Sequence, residues 1–391
     1  MTRTLVENIG LLVTNDSSFD GTPLGIIQDA AFLIEKGNIT WVGESSSAPR
    51  AEVRNRIDAQ GRCIIPGFVD SHTHLIFAGD RSAEFGARMR GEPYGAGGIG
   101  YTVELTRRAN NGQLLQSGRR LVAEANASGT TTIECKSGYG LTVDDEARQL
   151  VVARQLTEET TFLGAHIVPK EYADSPDDYV DLVCGPMLDA AKPNAKWIDV
   201  FCDRGAFTPA QSRKILKAGM AKGLLPRIHA NQFEPGEGVQ VGVELDAASV
   251  DHVTYLSDAD IDLLSDSKTV ATLLPAAEFS TRSNYSDARR LFEAGVTVAL
   301  ASDCNPGSSY TTNIPFVIAI AVRDLFFSPE QAIWSATRGG ALALRRKDIG
   351  HLGVSAIANF SILSTPSYIH VAYRPGVPLV DEVWRNGTRI K

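Results

Sequence analysis

CIIPGFVDSHTH, residues 63–74, joins an apolar run to two histidines that stand two residues apart. On a β-strand, residues i and i+2 face the same side, so His72 and His74 present both imidazoles to one point where the strand ends. Two neutral imidazoles at this spacing suit a metal such as zinc or iron. A chance pair of histidines on a solvated strand would look the same, so the rest of the chain has to decide between the two interpretations.

Seven further apolar, β-branched runs follow, and helix-like patterns separate them. The clearest helical pattern has Thr208 as N-cap, Pro209 at the first helical position and Gly223 just past its end. Strands that alternate with helices predict an α/β fold with a parallel sheet, and eight of them predict a (β/α)8 barrel of the TIM type. An open doubly wound sheet is the alternative, but no G-x-G-x-x-G motif follows the first strand. Including the first, the eight strand-like runs lie near residues 64–74, 130–135, 161–166, 197–202, 225–230, 249–253, 269–274 and 296–302.

Short apolar runs near both ends of the chain predict a second, smaller domain. The N-terminal runs are too few to bury a large core alone, and the C-terminal runs supply partners for them. Residues 1–65 and 352–391 are therefore predicted to form one composite β-domain, a small β-sandwich, while residues 66–351 form the barrel. The strand-like runs of this domain are Leu11–Val13, Ile26–Ile27, Ala31–Ile34, Ile39–Gly43, Phe360–Leu363, Tyr368–Val371 and Val383–Trp384.

The overall composition restricts the classes of function. The net charge of −8 on 391 residues argues against a nucleic-acid or anionic-membrane surface, and no apolar run is long enough to span a membrane. The start of the chain shows no secretory signal. Five scattered cysteines indicate buried thiols in a reducing compartment rather than a disulfide framework. We expect a cytoplasmic protein that binds a small molecule and neither nucleic acid nor membrane.

Polar residues recur where the predicted strands end, which is where catalytic side chains lie in a barrel of this type. Five of the seven histidines fall at such ends. Three of these polar residues have other interpretations: His166 as a core histidine, His252 as a partner of Asp251, and Asp303 as a helix N-cap. Their common position nevertheless favours a metal site that leaves room for water or substrate, as catalytic sites require. Its predicted ligands are His72, His74, His229 and Asp303.

These residues resemble the amidohydrolase superfamily, in which a His-x-His on strand 1, histidines on strands 5 and 6 and an aspartate on strand 8 surround the metal. The resemblance implies one Zn²⁺ or Fe ion per subunit. Members with two metals use a carboxylated lysine at the end of strand 4, but here that strand ends at Val200–Asp203 and Lys136 ends strand 2 instead. The mononuclear branch is therefore indicated. Because superfamily members are often dimers, we expect a homodimer.

Most of the chain resembles a narrower group, the hydrolases that open 4-imidazolone-5-propanoate to N-formimidoyl-L-glutamate in histidine degradation. This resemblance implies hydrolysis of a cyclic amide by a metal-activated water. The propanoate needs a cation, and Arg81 can offer a bidentate guanidinium, although an ion pair with Asp80 or Glu84 is the alternative. Five stretches carry the resemblance: residues 70–81, 136–141, 164–166, 229–232 and 302–309.

The same resemblance implies further substrate contacts. His166 can hydrogen-bond the ring or the developing oxyanion, and Tyr139 can project from a glycine-rich loop. Tyr94 matches a tyrosine of the group, although the chain that follows it is shorter than usual. The alternative interpretation of Tyr139 is an aromatic side chain packed within its loop, and that of the loop after Asp303 is ordinary turn chemistry. The predicted substrate-binding residues are Arg81, Tyr94, Tyr139, His166, Gln232, Asn305, Gly307 and Ser308.

His252 and Asp303 are the predicted catalytic residues. His252 would stabilise the oxyanion or move a proton, and Asp303 would take a proton from water and pass it to the leaving ring nitrogen. The group often has a carboxylate where this chain has Gln232, which can orient substrate but cannot act as a base. Two alternatives remain. A ring deaminase would rely on that missing carboxylate, and a non-catalytic relative would have lost metal ligands, none of which is missing here.

Overall fold

The computed structural model describes residues 3–49, 51, 53–91 and 97–391. Within them the chain forms the strands β1 (Arg3–Val13), β2 (Ile26–Glu35), β3 (Asn38–Glu44), β4 (Val53–Asp58), β5 (Cys63–Pro66), β6 (Phe68–Asp70), β7 (Thr130–Lys136), β8 (Glu159–Ala165), β9 (Trp197–Cys202), β10 (Leu225–Pro226), β11 (Ile228–Ala230), β12 (Ser249–His252), β13 (Val270–Leu273), β14 (Val298–Leu300), β15 (Phe360–Leu363), β16 (Val380–Arg385) and β17 (Thr388–Arg389).

Helices follow most of the middle strands. In chain order they are α1 (Ser82–Met89), α2 (Gly97–Arg108), α3 (Asn111–Ala127), α4 (Val143–Ala153), α5 (Pro176–Leu182), α6 (Leu188–Ala191), α7 (Pro209–Ala221), α8 (Gly238–Glu244), α9 (Asp258–Ser265), α10 (Pro275–Thr281), α11 (Ala288–Glu293), α12 (Ile314–Asp324), α13 (Pro329–Trp334), α14 (Gly340–Ala343) and α15 (His370–Tyr373). Short 3₁₀ turns occupy Ser45–Ser47, Lys170–Tyr172 and Lys192–Asn194, and π turns occupy Val183–Met187 and Ser335–Gly339.

Eight strands form the predicted barrel. Their order in the sheet is β6, β7, β8, β9, β11, β12, β13, β14, with β10 beside β9, and the strands from β7 onward pair in parallel. Residues just after the first and last strands close the circle. Thr73 bridges Cys304 in parallel, and the His74 N–H donates to the Cys304 carbonyl at 2.9 Å. The (β/α)8 prediction is confirmed.

The barrel strands read as continuous apolar runs because parallel strands in this fold are covered on both faces. Every residue of β8 and β9 is buried, for example. The helix predicted after Thr208 is also present. The Thr208 hydroxyl accepts from the Gln211 N–H, and the Gln211 side chain accepts from the Thr208 N–H, which together make a capping box at the start of α7.

The two ends of the chain form one separate sheet, as predicted. Its order is β17, β16, β15, β5, β1, β2, β3, and β4 also pairs with β1. The antiparallel pairing of β15 with β5 joins the C-terminal strands to the N-terminal ones. Phe32 and Phe360 meet edge to face at 5.1 Å in its core, and Trp384 stacks on Phe360 at 5.6 Å. The predicted sandwich therefore takes the form of one connected sheet around the long strand β1.

The prediction of one strand in this domain is wrong. Residues Tyr368–Val371 lead into the helix α15. The side chains of Tyr368 and Val371 are buried while Ile369 between them is exposed. Buried positions three residues apart follow the period of a helix, not the alternation of a strand.

Contacts divide the chain into two compact units. One contains Met1–Asp70, Ala123–Thr132 and Asn313–Lys391, and the other contains Ser71–Val122 and Ile133–Thr312. The predicted domain limits, 1–65 with 352–391 and 66–351, stay a prediction. Among the described residues, no helix has both the length and the apolar character required for a membrane span.

Candidate metal centre and active site

Four side chains lie near the ends of β6, β11 and β14, each with a donor atom close to that of His74 or His72, and together they are called the ligand cluster: His72, His74, His229 and Asp303. The Nε2 atom of His74 lies 3.3 Å from that of His72 and 3.4 Å from that of His229. Oδ1 of Asp303 lies 3.5 Å from His74 Nε2 and 3.6 Å from His72 Nε2. The strands that the sequence predicted to end together bring these donors to one point.

The spacing of the donors fits a single metal ion. Four donors placed tetrahedrally at about 2.1 Å from one ion lie about 3.4 Å from one another, and the four separations given above agree. His229 lies outside the group in which the donors of His72, His74 and Asp303 are all within 4.8 Å of one another. His252 lies beside the cluster, because its nearest nitrogen and those of His72 and His229 are all within 4.8 Å of one another. Burial holds the pKa of His72, His74 and His252 well below the usual value, so these imidazoles are neutral, the form that binds metals.

Two carboxylates hold histidines of the cluster from behind. Asp251 Oδ2 lies 2.7 Å from Nδ1 of His72, and Asp199 Oδ1 lies 3.1 Å from Nδ1 of His229. Each carboxylate accepts the Nδ1–H, which leaves the lone pair on Nε2 for an ion. Burial alone would raise the pKa of Asp199, but the neighbouring His229 and Lys136 more than offset it and hold the pKa well below its usual value.

Sequence analysis did not assign these two carboxylates to the site. Asp199 lies inside β9 and Asp251 inside β12, both otherwise apolar strands. A buried charge needs a partner, and that requirement is the signal that could have found them. Asp251 pairs with His72 rather than with the adjacent His252, so the structure does not support the alternative interpretation of His252.

The backbone is strained where the site residues leave their strands. His252, Val253 and Asp303 have positive φ angles of 75°, 44° and 51°. Residues with a side chain avoid this left-handed region, and a β-branched valine avoids it most strongly. Such strain persists where surrounding contacts fix the chain, and it clusters at functional sites. Here it turns His252 and Asp303 out of the strand direction at the ends of β12 and β14.

A cleft opens beside the ligand cluster. Six of the predicted substrate-binding residues line it. Gly307 instead packs against the guanidinium of Arg81, close enough that an added Cβ would lie 2.2 Å from Nη1. The prediction for Tyr94 falls outside the described residues. The side chains that line the cleft are His74, Arg81, Ile99, Tyr139, His166, Phe201, His229, Gln232, Phe233, Asp303, Asn305 and Ser308.

His166 has a defined tautomer. Its Nδ1 lies 2.9 Å from the Gly138 carbonyl, which can only accept, so Nδ1 carries the proton. Burial lowers the pKa of His166 to about 3, which leaves Nε2 without a proton at neutral pH. His166 stacks on His74 at 5.3 Å. Its Nε2 can therefore accept a hydrogen bond from a ring N–H, whereas a contact with an oxyanion would require a donor.

Arg81 is held by its neighbour on helix α1. Its Nε and Nη2 donate to the two carboxylate oxygens of Glu84, both at 2.7 Å. This is the ion pair that sequence analysis gave as an alternative, and yet the side chain is buried and lines the cleft. The pair fixes the guanidinium at the cleft wall, so the two interpretations are compatible.

The loop after β14 is held by its own side chains. Asn305 Oδ1 accepts from the backbone N–H groups of Gly307 and Ser308 at 2.8 Å, and Nδ2 donates to the Asp303 carbonyl at 2.6 Å. The Ser308 hydroxyl donates to Asp303 Oδ2 at 3.2 Å. These contacts orient Asp303 and agree with the turn interpretation of Asn305. Substrate contacts of this loop stay a prediction.

Glu278 is a buried carboxyl near the site that sequence analysis did not find. It lies in the first turn of α10 and accepts from the Thr254 hydroxyl at 2.8 Å through Oε1, while Oε2 has no hydrogen-bond partner among the described residues. Burial raises the pKa of Glu278 to about 7, and the charge of Glu278 in turn contributes to the raised pKa of Asp303. The carboxyl is thus half-protonated at neutral pH.

Glu278→Gln is expected to stabilise the protein more at high pH than at low pH. The folded-state pKa of about 7 lies above the ordinary value of 4.5, so the contribution of Glu278 to wild-type stability is fully present below pH 4.5 and is lost as the pH rises through 7. Glutamine keeps the hydrogen bond from Thr254 but carries no charge. Urea unfolding at pH 5 and pH 8 should show the difference between variant and wild type grow by about 2 kcal/mol. A difference that is the same at both pH values would contradict the prediction.

Residues 63–391 match the amidohydrolase family. The chain is 63% identical over 387 residues to the imidazolonepropionase of Mycolicibacterium smegmatis, which covers 99% of this chain and 97% of that protein. It is 61% identical over 391 residues to the imidazolonepropionase of Streptomyces griseus, with full coverage of both chains. These similarities extend over both the barrel and the terminal sheet.

Solved structures share the fold at low identity. A guanine deaminase from C. acetobutylicum with bound guanine superposes with a TM-score of 0.76 at 16% identity, over 100% of both chains. An adenosine deaminase from Xanthomonas campestris with bound zinc gives a TM-score of 0.71 at 19% identity, over 99% of this chain and 92% of that one. At such identity the likeness concerns the fold alone.

Proposed function

The chain belongs to the imidazolonepropionases of the amidohydrolase family, and we propose that one divalent metal ion, held by the ligand cluster, performs its chemistry. The enzyme is a hydrolase of histidine degradation that opens the ring of 4-imidazolone-5-propanoate to give N-formimidoyl-L-glutamate. The single observation that carries the proposal is the position of His74 Nε2 at the mouth of the barrel, 3.3–3.5 Å from a donor atom of each of the other three residues of the ligand cluster.

The balance of buried charges favours a divalent ion. Apart from the half-protonated Glu278, four carboxylates and two cations are buried at and behind the cluster, so their formal charges sum to −2. A divalent ion such as Zn²⁺ or Fe²⁺ neutralises this sum, and an uncompensated buried charge is costly. The carboxylates are Glu134, Asp199, Asp251 and Asp303, and the cations are Lys136 and Arg227.

One ion, not two, suits the neighbouring residues. The end of β9 offers no lysine that could be carboxylated. Lys136 reaches the same region from β7, but its ammonium already forms ion pairs with Glu134 at 3.1 Å and Asp199 at 2.9 Å. It is therefore not available to bridge a second ion.

When bound, the ion would polarise the ring carbonyl and activate a water molecule. Hydrolysis then adds that water to the carbonyl carbon, breaks the ring C–N bond and moves one proton from the water to the ring nitrogen. Asp303 suits this proton transfer, because burial raises the pKa of its carboxyl well above the usual value. His252 is a second candidate, since its Nδ1 has no hydrogen-bond partner among the described residues.

The cleft provides groups that match the rest of the substrate. The guanidinium of Arg81 would bind the propanoate, and His166 Nε2 would accept the ring N–H. Tyr139 and Gln232 would confine the ring. The backbone N–H of Gln232 donates to Asp203 Oδ2 at 2.6 Å, which fixes the backbone of a residue that lines the cleft. Gln232 cannot act as a base, and this also weighs against a ring deaminase.

We further propose a cytoplasmic homodimer that binds no macromolecule other than its second copy. All five cysteines lie in the described part of the chain and none forms a disulfide, as expected of a reducing compartment. Light scattering coupled to size exclusion would report the mass of the assembly. A mass of one chain would refute the dimer and leave the catalytic proposal untouched.

The proposal predicts metal-dependent loss of the ultraviolet absorbance of fresh 4-imidazolone-5-propanoate. Metal-loaded protein should exceed the spontaneous rate by far and should yield N-formimidoyl-L-glutamate. Chelator-stripped protein should be inactive until Zn²⁺ or Fe²⁺ is restored, and His74→Ala should resist this restoration because it lacks one ligand. Equal rates with and without metal would refute the metal-centre proposal. Protein with a full metal complement and no activity would redirect the substrate search to ring deamination.

A further inference from the structure

A buried cation stands behind His229 of the ligand cluster. Nζ of Lys136 lies 2.9 Å from Asp199 Oδ2, and the other oxygen of that carboxylate lies 3.1 Å from Nδ1 of His229. The side chains of Lys136 and Asp199 are fully buried. Cation, carboxylate and imidazole thus form a short chain, in which an ion pair between Lys136 and Asp199 is followed by a hydrogen bond between Asp199 and Nδ1 of His229. We call this chain the Lys136 arm.

His72 has an arm of the same construction. Arg227 Nη2 lies 3.2 Å from Asp251 Oδ2, which in turn lies 2.7 Å from Nδ1 of His72. His74 differs, because its Nδ1 has no hydrogen-bond partner among the described residues. Two of the three histidines are therefore fixed in tautomer and direction by a cation and a carboxylate.

The ammonium of Lys136 is also connected, through Glu134, to the turn that carries His72 and His74. It lies 3.1 Å from Glu134 Oε1, while Glu134 Oε2 accepts the backbone N–H of Thr73 at 2.9 Å. Thr73 stands between His72 and His74 in the chain. One side chain thus connects the strand that carries His229 to the turn that carries the other two histidines.

We propose that Lys136 is a positioning residue for the metal ligands, which aligns Asp199 so that His229 keeps its proton on Nδ1 and turns the Nε2 lone pair to the ion. This inference rests on the proposed metal centre. It gives Lys136 a role other than carboxylation or simple charge balance. Partners that orient a ligating histidine in this way commonly change metal affinity by 10- to 100-fold.

Lys136→Met alone would leave two buried carboxylates without a cation and could prevent folding. The informative variant is Lys136→Met/Glu134→Gln, which removes one charge of each sign and leaves glutamine to accept the Thr73 N–H. We expect the Zn²⁺ dissociation constant, measured by chelator competition on folded protein, to rise by about 10- to 100-fold. If Lys136 only balances charge, this variant will bind Zn²⁺ as wild type does, and the inference is overturned.

Two further variants separate the contributions. Glu134→Gln keeps the Lys136 arm, so we expect a smaller loss than in the double variant; an equal loss would assign the whole effect to Glu134 and overturn the inference. Asp199→Asn interrupts the Lys136 arm at the carboxylate that lies between Lys136 and His229, and it should weaken Zn²⁺ binding comparably. It provides the test if the double variant does not fold. An unchanged dissociation constant there overturns the inference as well. Wild-type protein that binds no Zn²⁺ would refute the metal centre itself, so the two failures are distinguishable.

Discussion

Asp303→Asn is expected to lower kcat by at least about 1,000-fold while the protein still binds its metal. The asparagine Oδ1 can occupy the place of the carboxylate oxygen next to His72 and His74, 3.5–3.6 Å away, but it cannot take a proton. Proton transfer by a positioned group contributes about 10²- to 10⁴-fold to catalysis, and the variant also loses a charge beside the reacting carbonyl. The measurements are kcat with saturating substrate and metal content by elemental analysis.

The burial of Asp303 is the reason to expect so large an effect. Burial raises the pKa of this carboxyl well above its usual value, and the Ser308 hydroxyl and Asn305 lower it only in part. A carboxyl in such surroundings accepts a proton more readily than an exposed carboxyl does. Asp262→Asn, on the exposed face of α9, is the matched control and should leave kcat unchanged. If kcat of metal-loaded Asp303→Asn stays within tenfold of wild type, the prediction is wrong and the proton transfer is to be assigned to His252.

Arg81→Met is expected to lower kcat/KM by about 100- to 1,000-fold, mainly through KM. Two hydrogen bonds from a guanidinium to a carboxylate contribute roughly 3–4 kcal/mol, which corresponds to this factor. The side chain is buried at the cleft wall, and Glu84 fixes its plane through two bonds of 2.7 Å. Methionine fills the space of the aliphatic part but offers no donor. Steady-state kinetics of the metal-loaded variant measure the change.

Two comparisons test the assignment of Arg81 to the propanoate. Glu84→Gln keeps the guanidinium but loosens it, so we expect a rise in KM of about tenfold. A substrate analogue with a propanamide in place of the propanoate should be discriminated against by wild type and not by Arg81→Met. Values of kcat and KM within threefold of wild type for Arg81→Met would mean that the Arg81–Glu84 pair only stabilises helix α1.

The strand pattern of the chain was enough to predict the barrel and the end of the barrel at which the four residues of the ligand cluster lie; their binding of a metal stays a prediction. Parallel strands connected by helices bring their C-terminal ends to one edge, so His72, His229 and Asp303 meet although 231 positions separate the first from the last. The two-residue period of a strand adds His74 to the same point. These inferences needed only local periodicity and chain order. The short run Tyr368–Val371 was misread because four residues carry too little periodicity to separate a strand from a helix.

The tertiary structure alone decided which polar groups pair. The sequence pattern indicates that Lys136, Asp199 and Asp251 lie in strands. Their partners, however, are selected by the register between the strands and by the side-chain rotamers. Register is set by packing over the whole sheet and cannot be read from one segment. The same holds for the Nδ1 proton of His166, which depends on a carbonyl 28 residues away. The chain order thus determined where the site forms, and long-range packing determined the tautomers, charges and orientations on which its chemistry depends.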